Sequence, residues 1–290
     1  MKKTRELIEA HISLVDAICE VCDARIPVSS RNPLIDELTA GKSQVLILNK
    51  SDLANEAATR EWLEHFRKES ESRGARVALA LNAMSGQGMK DLYKALEGLA
   101  AEKATSGKGK AQLPLRLMIA GIPNSGKSSL INRLTKRKAA QVGDRPGVTR
   151  GKQWITLENG MQLLDTPGIL WPKFEDPMVG LNLAFCGSIK DEILDIQDLG
   201  LELVRVLLRG YPGILARRYG VLEDDGDADL GQNPPSALGV MEEIARKRGF
   251  LLPGKRIDYE RTARTLLDEF RAGKLGRITL EYPGPALIKR

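Results

Sequence analysis

The run Gly121-Ile122-Pro123-Asn124-Ser125-Gly126-Lys127-Ser128 has residue types and spacing suited to holding phosphate. Its glycines permit backbone geometry and close approach that side chains forbid, so successive N–H groups can turn toward phosphate oxygens. Pro123, Asn124, Ser125 and Gly126 form the cradle, and Lys127 can reach the terminal phosphates. The Ser128 hydroxyl can ligate Mg2+, and the helix expected to open here, with Ser129 next in line, adds a partial positive charge. A second run, Asn49-Lys50-Ser51-Asp52, follows an apolar strand-like stretch and decides the base. The Asp52 carboxylate can accept from both N1–H and the exocyclic amine of guanine, a donor pair that adenine lacks.

Two further patterns gain meaning from their position. Asn82-Ala83-Met84-Ser85-Gly86 follows the next apolar run, where GTPases place a loop supporting the base; a plain turn before a helix is the alternative. Asp165-Thr166-Pro167-Gly168 ends another apolar run, so Asp165 can hold the Mg2+ shell and the Gly168 N–H can sense a γ-phosphate. Between it and Lys127 lies Thr149, in Pro146-Gly147-Val148-Thr149, a candidate switch threonine for Mg2+. Ile169 stands where classical GTPases carry the glutamine that orients the attacking water, and isoleucine cannot hydrogen-bond to it. Slow intrinsic turnover follows from that substitution.

The elements that must position these residues alternate in the first part of the chain. Strands are expected at Val15 to Cys22, Gln44 to Asn49 and Arg76 to Leu81, and helices at Asn32 to Ala40, Glu56 to Ser72 and Met89 to Lys103. Residues 104–112 read as a flexible linker. A strand at Leu115 to Ala120 then feeds the phosphate loop and a helix at Lys127 to Leu134, and Gln153 to Leu157 and Met161 to Leu164 read as a hairpin turned by Glu158-Asn159-Gly160. Beyond about residue 175 the strand patterns stop. Helical ones take over at Asp198 to Leu208, Ala237 to Arg248 and Tyr259 to Phe270, and the acidic stretch from Glu223 to Asp229 reads as a solvated connection.

The motif order is rotated. Asn49-Lys50-Ser51-Asp52 and its companion at Asn82 precede the phosphate loop, whereas the usual order begins with that loop. A chain whose old termini are joined and reopened elsewhere can still build the same core. The expected fold is therefore α/β. A circularly permuted P-loop GTPase domain over 1–175, a mostly parallel sheet with helices on both faces, is followed by a small all-α domain over 176–290. Reopening the chain after Asp165–Gly168 leads the second switch straight into the helical tail, so nucleotide state and tail position should be coupled.

Composition bounds the partners. The chain has 290 residues, 42% apolar and 28% charged, with a net charge of +6. Its pI of 9.2 makes an anionic partner plausible. No run approaches the roughly 20 apolar residues needed to span a bilayer, and the charged start is unlike a secretory signal, so a cytoplasmic protein without a membrane partner is expected. Cys19 and Cys22 spell C-x-x-C, but residues three apart on a strand face opposite ways, so packed core thiols are expected rather than a metal or redox pair. His11 and His65 fall on helix-like segments and read as surface residues.

The chain resembles the bacterial ribosome biogenesis GTPase A family over essentially its whole length. The resemblance rests on Asp23-Ala24-Arg25-Ile26-Pro27 with Ser30-Arg31-Asn32-Pro33, on the Pro123-Asn124 of the phosphate loop, on Gly143 to Thr149, and on Leu164 to Asp176. It implies a GTP- and Mg2+-dependent factor in late maturation of the large ribosomal subunit, with a C-terminal domain contacting rRNA. It also implies K+ dependence through Asn124. The local sequence is compatible: from Arg246 to Arg277 there are ten Lys or Arg against four Asp or Glu. The candidate RNA contacts are Arg246, Lys247, Arg248, Lys255, Arg256, Arg261, Arg264, Lys274 and Arg277. A monomer is expected. The family credits alignment of the catalytic water to a histidine directly ahead of the methionine that matches Met1, so either a segment upstream of Met1 or another group, supplied by the ribosome, fills that role. Two other readings stay open: an RNA-binding module stabilised by guanine nucleotide with little turnover, and an adenine-specific ATPase or kinase in which Asp52 is incidental.

Overall fold

The computed structural model describes residues 6, 9–39, 41–73, 76–106, 113–135, 154–165, 176–222 and 236–284. The chain divides into two compact units, Met1–Glu175 with Glu281–Ala286, and Asp176–Leu280 with Leu287–Arg290.

The first unit is a six-stranded sheet of β1 (Ala17–Asp23), β2 (Ser43–Asn49), β3 (Arg76–Ala80), β4 (Arg116–Ala120), β5 (Trp154–Thr156) and β6 (Gln162–Asp165). Their spatial order is β3-β2-β1-β4-β6-β5. All neighbours run parallel except β5, which pairs antiparallel with β6 as the hairpin pattern predicts. Every residue of β1 is buried, as a central parallel strand covered on both faces must be. Alternation splits its side chains between clusters: Ala17, Cys19 and Val21 pack with Leu117, Ile119 and Leu92, while Cys22 joins Leu46, Leu48, Trp62 and Phe66 on the other face. The two cysteines therefore point apart, and burial pushes the Cys19 thiol up to about 12, which keeps it protonated and inert.

Helices α1 (Pro33–Leu38), α2 (Glu56–Arg73), α3 (Met89–Ser106) and α4 (Lys127–Thr135) connect the strands. The helix α3 continues through Ala104, Thr105 and Ser106, so the expected linker does not begin at 104; the remainder of 104–112 lies outside the described residues. His11 is buried, contrary to the surface position expected for it, because its helical turn lies on the cluster formed by Ile12, Val15 and Ile18. His65 is exposed on α2, edge-on to Trp62. Glu281 also belongs to this unit. The Glu281 carboxylate accepts from the Val28 and Ser29 amides at 2.6 and 2.9 Å, and its carbonyl accepts from Trp62 Nε1 at 2.8 Å.

The second unit contains α5 (Pro177–Phe185), α6 (Ile196–Gly210), α7 (Ile214–Tyr219), α8 (Ala237–Arg248) and α9 (Tyr259–Arg271). Asp176, Asp195, Ser236 and Asp258 cap α5, α6, α8 and α9 by accepting from amides of the first turn, satisfying donors that helix starts leave open. Gly200 lets α6 and α9 approach closely, since a Cβ there would lie 2.5 Å from the Ala263 Cβ. Leu203, Val204, Leu207, Ile244, Leu266 and Phe270 are fully or almost fully buried in this unit. The unit is not purely helical. Two short strands, β7 (Leu251–Leu252) and β8 (Arg256–Ile257), form a hairpin between α8 and α9. The stretch from Glu223 to Asp229 lies outside the described residues.

Candidate functional site

Chain order and spatial order diverge at the centre of the sheet. β1, β2 and β3 wind one way from the middle, and β4, β6 and β5 the other, so the crevice outside the carboxyl ends of β1 and β4 is a topological switch point. The candidate residues gather at the carboxyl ends of these strands. The phosphate loop leaves β4 after Ala120, Asn49 ends β2, and Asn82 follows β3.

Backbone conformation explains why the loop has the residues it has. Gly121 has φ +146°, and a Cβ there would lie 2.4 Å from the Val21 carbonyl of β1. Gly126 has φ +95°, and a Cβ would lie 2.1 Å from Asn49 Nδ2. Asn124 also adopts a left-handed conformation, φ +57°, at an exposed point of the loop, a conformation that asparagine tolerates better than most residues. Ser125 Oγ donates to the Ile122 carbonyl at 3.0 Å, and the buried Lys127 ammonium donates to the same carbonyl at 2.5 Å. The lysine is thus folded back over its own loop, at the N-terminus of α4, where Ser128 and Ser129 are half-buried. A cradle with two glycines where a Cβ would collide, a lysine and a helix N-terminus fits a phosphate chain.

Asn49 joins this cradle to the base motifs. Its Nδ2 donates to the Ser125 carbonyl at 2.8 Å, while its Oδ1 accepts from the Ala83 amide at 3.0 Å. Asn82 organises the neighbouring loop: its Oδ1 accepts from the Met84 and Ser85 amides at 2.8 and 3.1 Å. The turn carrying Asp52 is pinned by the Ser51 amide to the Leu81 carbonyl at 3.2 Å. Asn49, Asn82, Ala83 and the phosphate loop are therefore brought together by direct bonds, and Lys50 and half-buried Asp52 follow on the same turn.

Sequence reasoning missed what holds Lys50. Its Nζ lies 3.0 Å from Asp23 Oδ2, at the end of β1. Asp23 also accepts from Arg25 Nε and Nη2 at 2.9 and 2.8 Å, and both side chains are only 1% exposed. Burial alone would raise the Asp23 carboxyl, but the positive charges of Arg25 and Lys50 and the Arg25 hydrogen bonds outweigh it and hold the group below the usual carboxylate range. The available signal was Asp23-Ala24-Arg25 at the end of a strand next to the base motif.

For the metal, Ser128 sits in the first turn of α4, and backbone register sets Asp165 beside Ile119 of β4, just ahead of the phosphate loop. Hydroxyl and carboxylate oxygens suit Mg2+. Thr149, Gly168 and Ile169 lie outside the described residues.

The candidate RNA residues all belong to the second unit, where several are already paired. Arg246 bridges Glu242, Lys247 bridges Glu243, and Arg264 bridges Glu260, at 2.8, 3.2 and 2.9 Å. Arg248 lies 3.2 Å from Glu269, and Arg261 lies over the Phe250 ring. Lys255 and Arg256 are exposed at the β7–β8 hairpin, and Lys274 and Arg277 are exposed after α9. Among the described residues no group of His, Cys, Asp and Glu could hold a metal ion, and no helix is long and apolar enough to cross a membrane.

A parallel sheet with this switch point, a glycine cradle before a helix, and an Asn-Lys-x-Asp turn bonded to it define a P-loop GTPase whose motifs are circularly permuted. The family model described as 50S ribosome-binding GTPase matches residues 116–210. A ribosome biogenesis GTPase A of Bacillus cereus is 42% identical over 98% of this chain and 92% of its own length. That of Priestia megaterium is 42% identical over 99% and 96%. Among solved structures, GNP-bound YlqF from T. maritima is 30% identical, covering 97% of this chain and 98% of its own, with a TM-score of 0.66. The chain belongs to the ribosome biogenesis GTPase A family, which makes it a GTP-binding protein of ribosome assembly.

Proposed function

We propose that this chain binds and hydrolyses GTP during late maturation of the large ribosomal subunit, and that its nucleotide state governs rRNA contact by the second unit. The observation that carries the nucleotide part is the Asn49 bridge, which bonds the Ser125 carbonyl on one side and the Ala83 amide on the other. One side chain thereby fixes the phosphate cradle relative to the base-reading turns. Asp52 reads the guanine N1–H and amine, Lys127 contacts the phosphates, and Ser128, Asp165 and Thr149 hold Mg2+. Bound Mg2+ neutralises charge on the phosphate oxygens. Asn124, at the loop's exposed left-handed position, contributes to a K+ site. The protein acts as a cytoplasmic monomer, slow alone and stimulated on the ribosome. The basic residues of the second unit support rRNA contact.

The deciding measurement is GTP turnover in potassium buffer with and without large ribosomal subunits. A steep rise on addition of subunits is expected, and unchanged hydrolysis would overturn the assembly-factor reading. Asp52→Asn should weaken GDP binding by roughly 10–1000-fold, because it replaces an acceptor pair facing two guanine donors with a mixed group. Equally good competition by ATP and GTP for the wild-type chain would remove the guanine assignment. Equal rRNA affinity with GDP and with a non-hydrolysable GTP analogue would remove the coupling.

A further inference from the structure

The loop that follows β1, from Ala24 to Ser30, lies outside the nucleotide motifs but is anchored at both ends. At its inner end it is joined to the base motif. The Ala24 amide donates to the Asn49 carbonyl at 2.8 Å, and Asp23, just ahead, lies 3.0 Å from Lys50 Nζ. Within the loop, Ser30 Oγ accepts from the Asp23 amide at 3.0 Å and donates to the Ile26 carbonyl at 2.6 Å, so a pull on the outer end reaches Asp23. That outer end is held by Glu281. Its carboxylate accepts from the Val28 and Ser29 amides and from the Ser29 hydroxyl. The Glu281 carbonyl accepts from Trp62 Nε1 on α2, the helix that follows the turn carrying Lys50 and Asp52. One residue thus joins the loop paired with that turn to the helix that follows it.

The place of Glu281 in the chain turns this clamp into a connection. It belongs to the first unit, whereas Leu280 belongs to the second. Two residues back, Thr279 is fixed within the second unit: its amide donates to the Tyr211 hydroxyl at 2.7 Å, and its carbonyl accepts from the same hydroxyl at 2.8 Å. An anchored residue of one unit is therefore joined to an anchored residue of the other by two covalent steps, which span at most about 7 Å. So short a tether has little slack, and displacement of Thr279 is felt at Glu281. We infer that Glu281 is a positioning residue for the guanine turn, and that rRNA bound to the second unit alters guanine-nucleotide affinity through it. This route is separate from the one that leads from Asp165–Gly168 into Asp176. It acts on the base side of the nucleotide and does not depend on a γ-phosphate. The inference rests on the guanine site and the rRNA contact proposed above, and names residues that join them.

The test measures the affinity of the full chain for fluorescent GDP with and without rRNA extracted from large ribosomal subunits. The ratio of the two affinities is the coupling factor, expected to be about 5–10-fold for the wild-type chain. Glu281→Ala should weaken GDP by about 5-fold without rRNA and bring the coupling factor to within about 2-fold of unity. A fluorescent non-hydrolysable GTP analogue should weaken by the same factor as GDP, since the lost support acts on the base side. Tyr211→Phe supplies the readout that a merely structural role for Glu281 would not move. It frees Thr279 but leaves the contacts of Glu281 in place, so GDP affinity without rRNA should stay within about 2-fold of wild type while the coupling factor falls as it does in Glu281→Ala. A coupling factor that is near unity in the wild-type chain, or undiminished in either variant, would overturn the inference, as would unequal losses for the two nucleotides. A wild-type chain that does not bind the rRNA would instead overturn the rRNA contact proposed above, and this inference with it.

Discussion

The carboxyl edge of the sheet and the basic residues from Arg246 to Arg277 in the second unit both present polar groups suited to phosphate, but they are built differently. At the sheet edge, side chains hold backbone: Asn49 spans the Ser125 carbonyl and the Ala83 amide, and Arg133 grips the Ala83 and Met84 carbonyls. Little there can shift, since Gly121 and Gly126 sit where a Cβ would collide. Among these basic residues, long side chains pair with carboxylates one helical turn away, as Arg246 does with Glu242, Lys247 with Glu243 and Arg264 with Glu260. Exposed pairs of this kind are weak and exchangeable. On the proposed function, the first region would be specific through geometry and fail when one atom is misplaced, and the second would work through summed charge and yield gradually.

The largest effect therefore belongs to the sheet edge. Gly126→Ala sets a Cβ at 2.1 Å from Asn49 Nδ2, in a backbone conformation of φ +95° that alanine resists. Either the loop or Asn49 must move, and both carry the bridge between phosphate and base motifs. GDP affinity should fall by roughly 100-fold, read by titration with a fluorescent GDP. Gly160→Ala is the control: its φ of +80° is also left-handed, but a Cβ there meets nothing within 4 Å, so it separates backbone strain from collision. Near-normal binding by Gly126→Ala would mean that the edge is softer than its contacts imply.

The same contrast explains what the sequence made legible. Gly126, Lys127 and Asn49 were readable because a phosphate loop and a base turn need particular backbone freedom and particular donors, and few residue types supply them. The permuted order was readable for the same reason, and the sheet carries it out with β1 and β4 adjacent at its centre. Arg133 was not, because its partners are carbonyls brought near only by the fold, and a basic residue on a helix face ordinarily signifies solvent. Asp23 appeared only as part of a family signature, since its pairing with Lys50 requires β1 and β2 to lie side by side. His11 is polar enough to suggest the surface, but the packing of its helical turn overrides that preference. The β7–β8 hairpin escaped because two-residue strands are too short to show alternation; Pro253-Gly254 was its one signal.

A middle case lies within the second unit, where charge is buried enough to acquire geometry. Glu269 is about 10% exposed and accepts from Arg218 Nε and Nη2 at 2.7 and 2.8 Å, from the Tyr219 hydroxyl at 2.8 Å and from Arg248 at 3.2 Å. The Arg218 hydrogen bonds, aided by Tyr219 and the neighbouring positive charges, hold its carboxyl below the ordinary 4.5 despite burial. A folded-state value below the unfolded one stabilises the fold fully above that ordinary value, and the stabilisation is lost as pH falls through the folded value. Arg218→Ala should destabilise the protein by about 1–2 kcal/mol near neutral pH, a figure reduced for solvent screening of the partly exposed arginine. In urea unfolding, the gap from wild type should shrink as pH drops below 4.5. A gap independent of pH would assign the effect to packing of the Arg218 stem against Tyr219.

The smallest effect tests whether the basic residues of the second unit work through summed charge. Lys255 is exposed at the tip of the β7–β8 hairpin, in a left-handed conformation of φ +59°, with no ion-pair partner among the described residues. It can meet a phosphate without first breaking a pair. Lys255→Ala should weaken rRNA binding by about 2–3-fold and flatten the logarithmic salt dependence by close to 1, the signature of one lost phosphate contact. Removing Arg246 and Glu242 together deletes a charge pair and leaves net charge unchanged, so rRNA affinity should stay near wild type. If the Lys255 variant keeps the full salt slope, Lys255 makes no phosphate contact, and if the double variant binds as poorly as Lys255→Ala, Arg246 contacts RNA in spite of its pairing. In that last case the basic residues would depend on geometry as the sheet edge does, and the contrast between the two regions would fall.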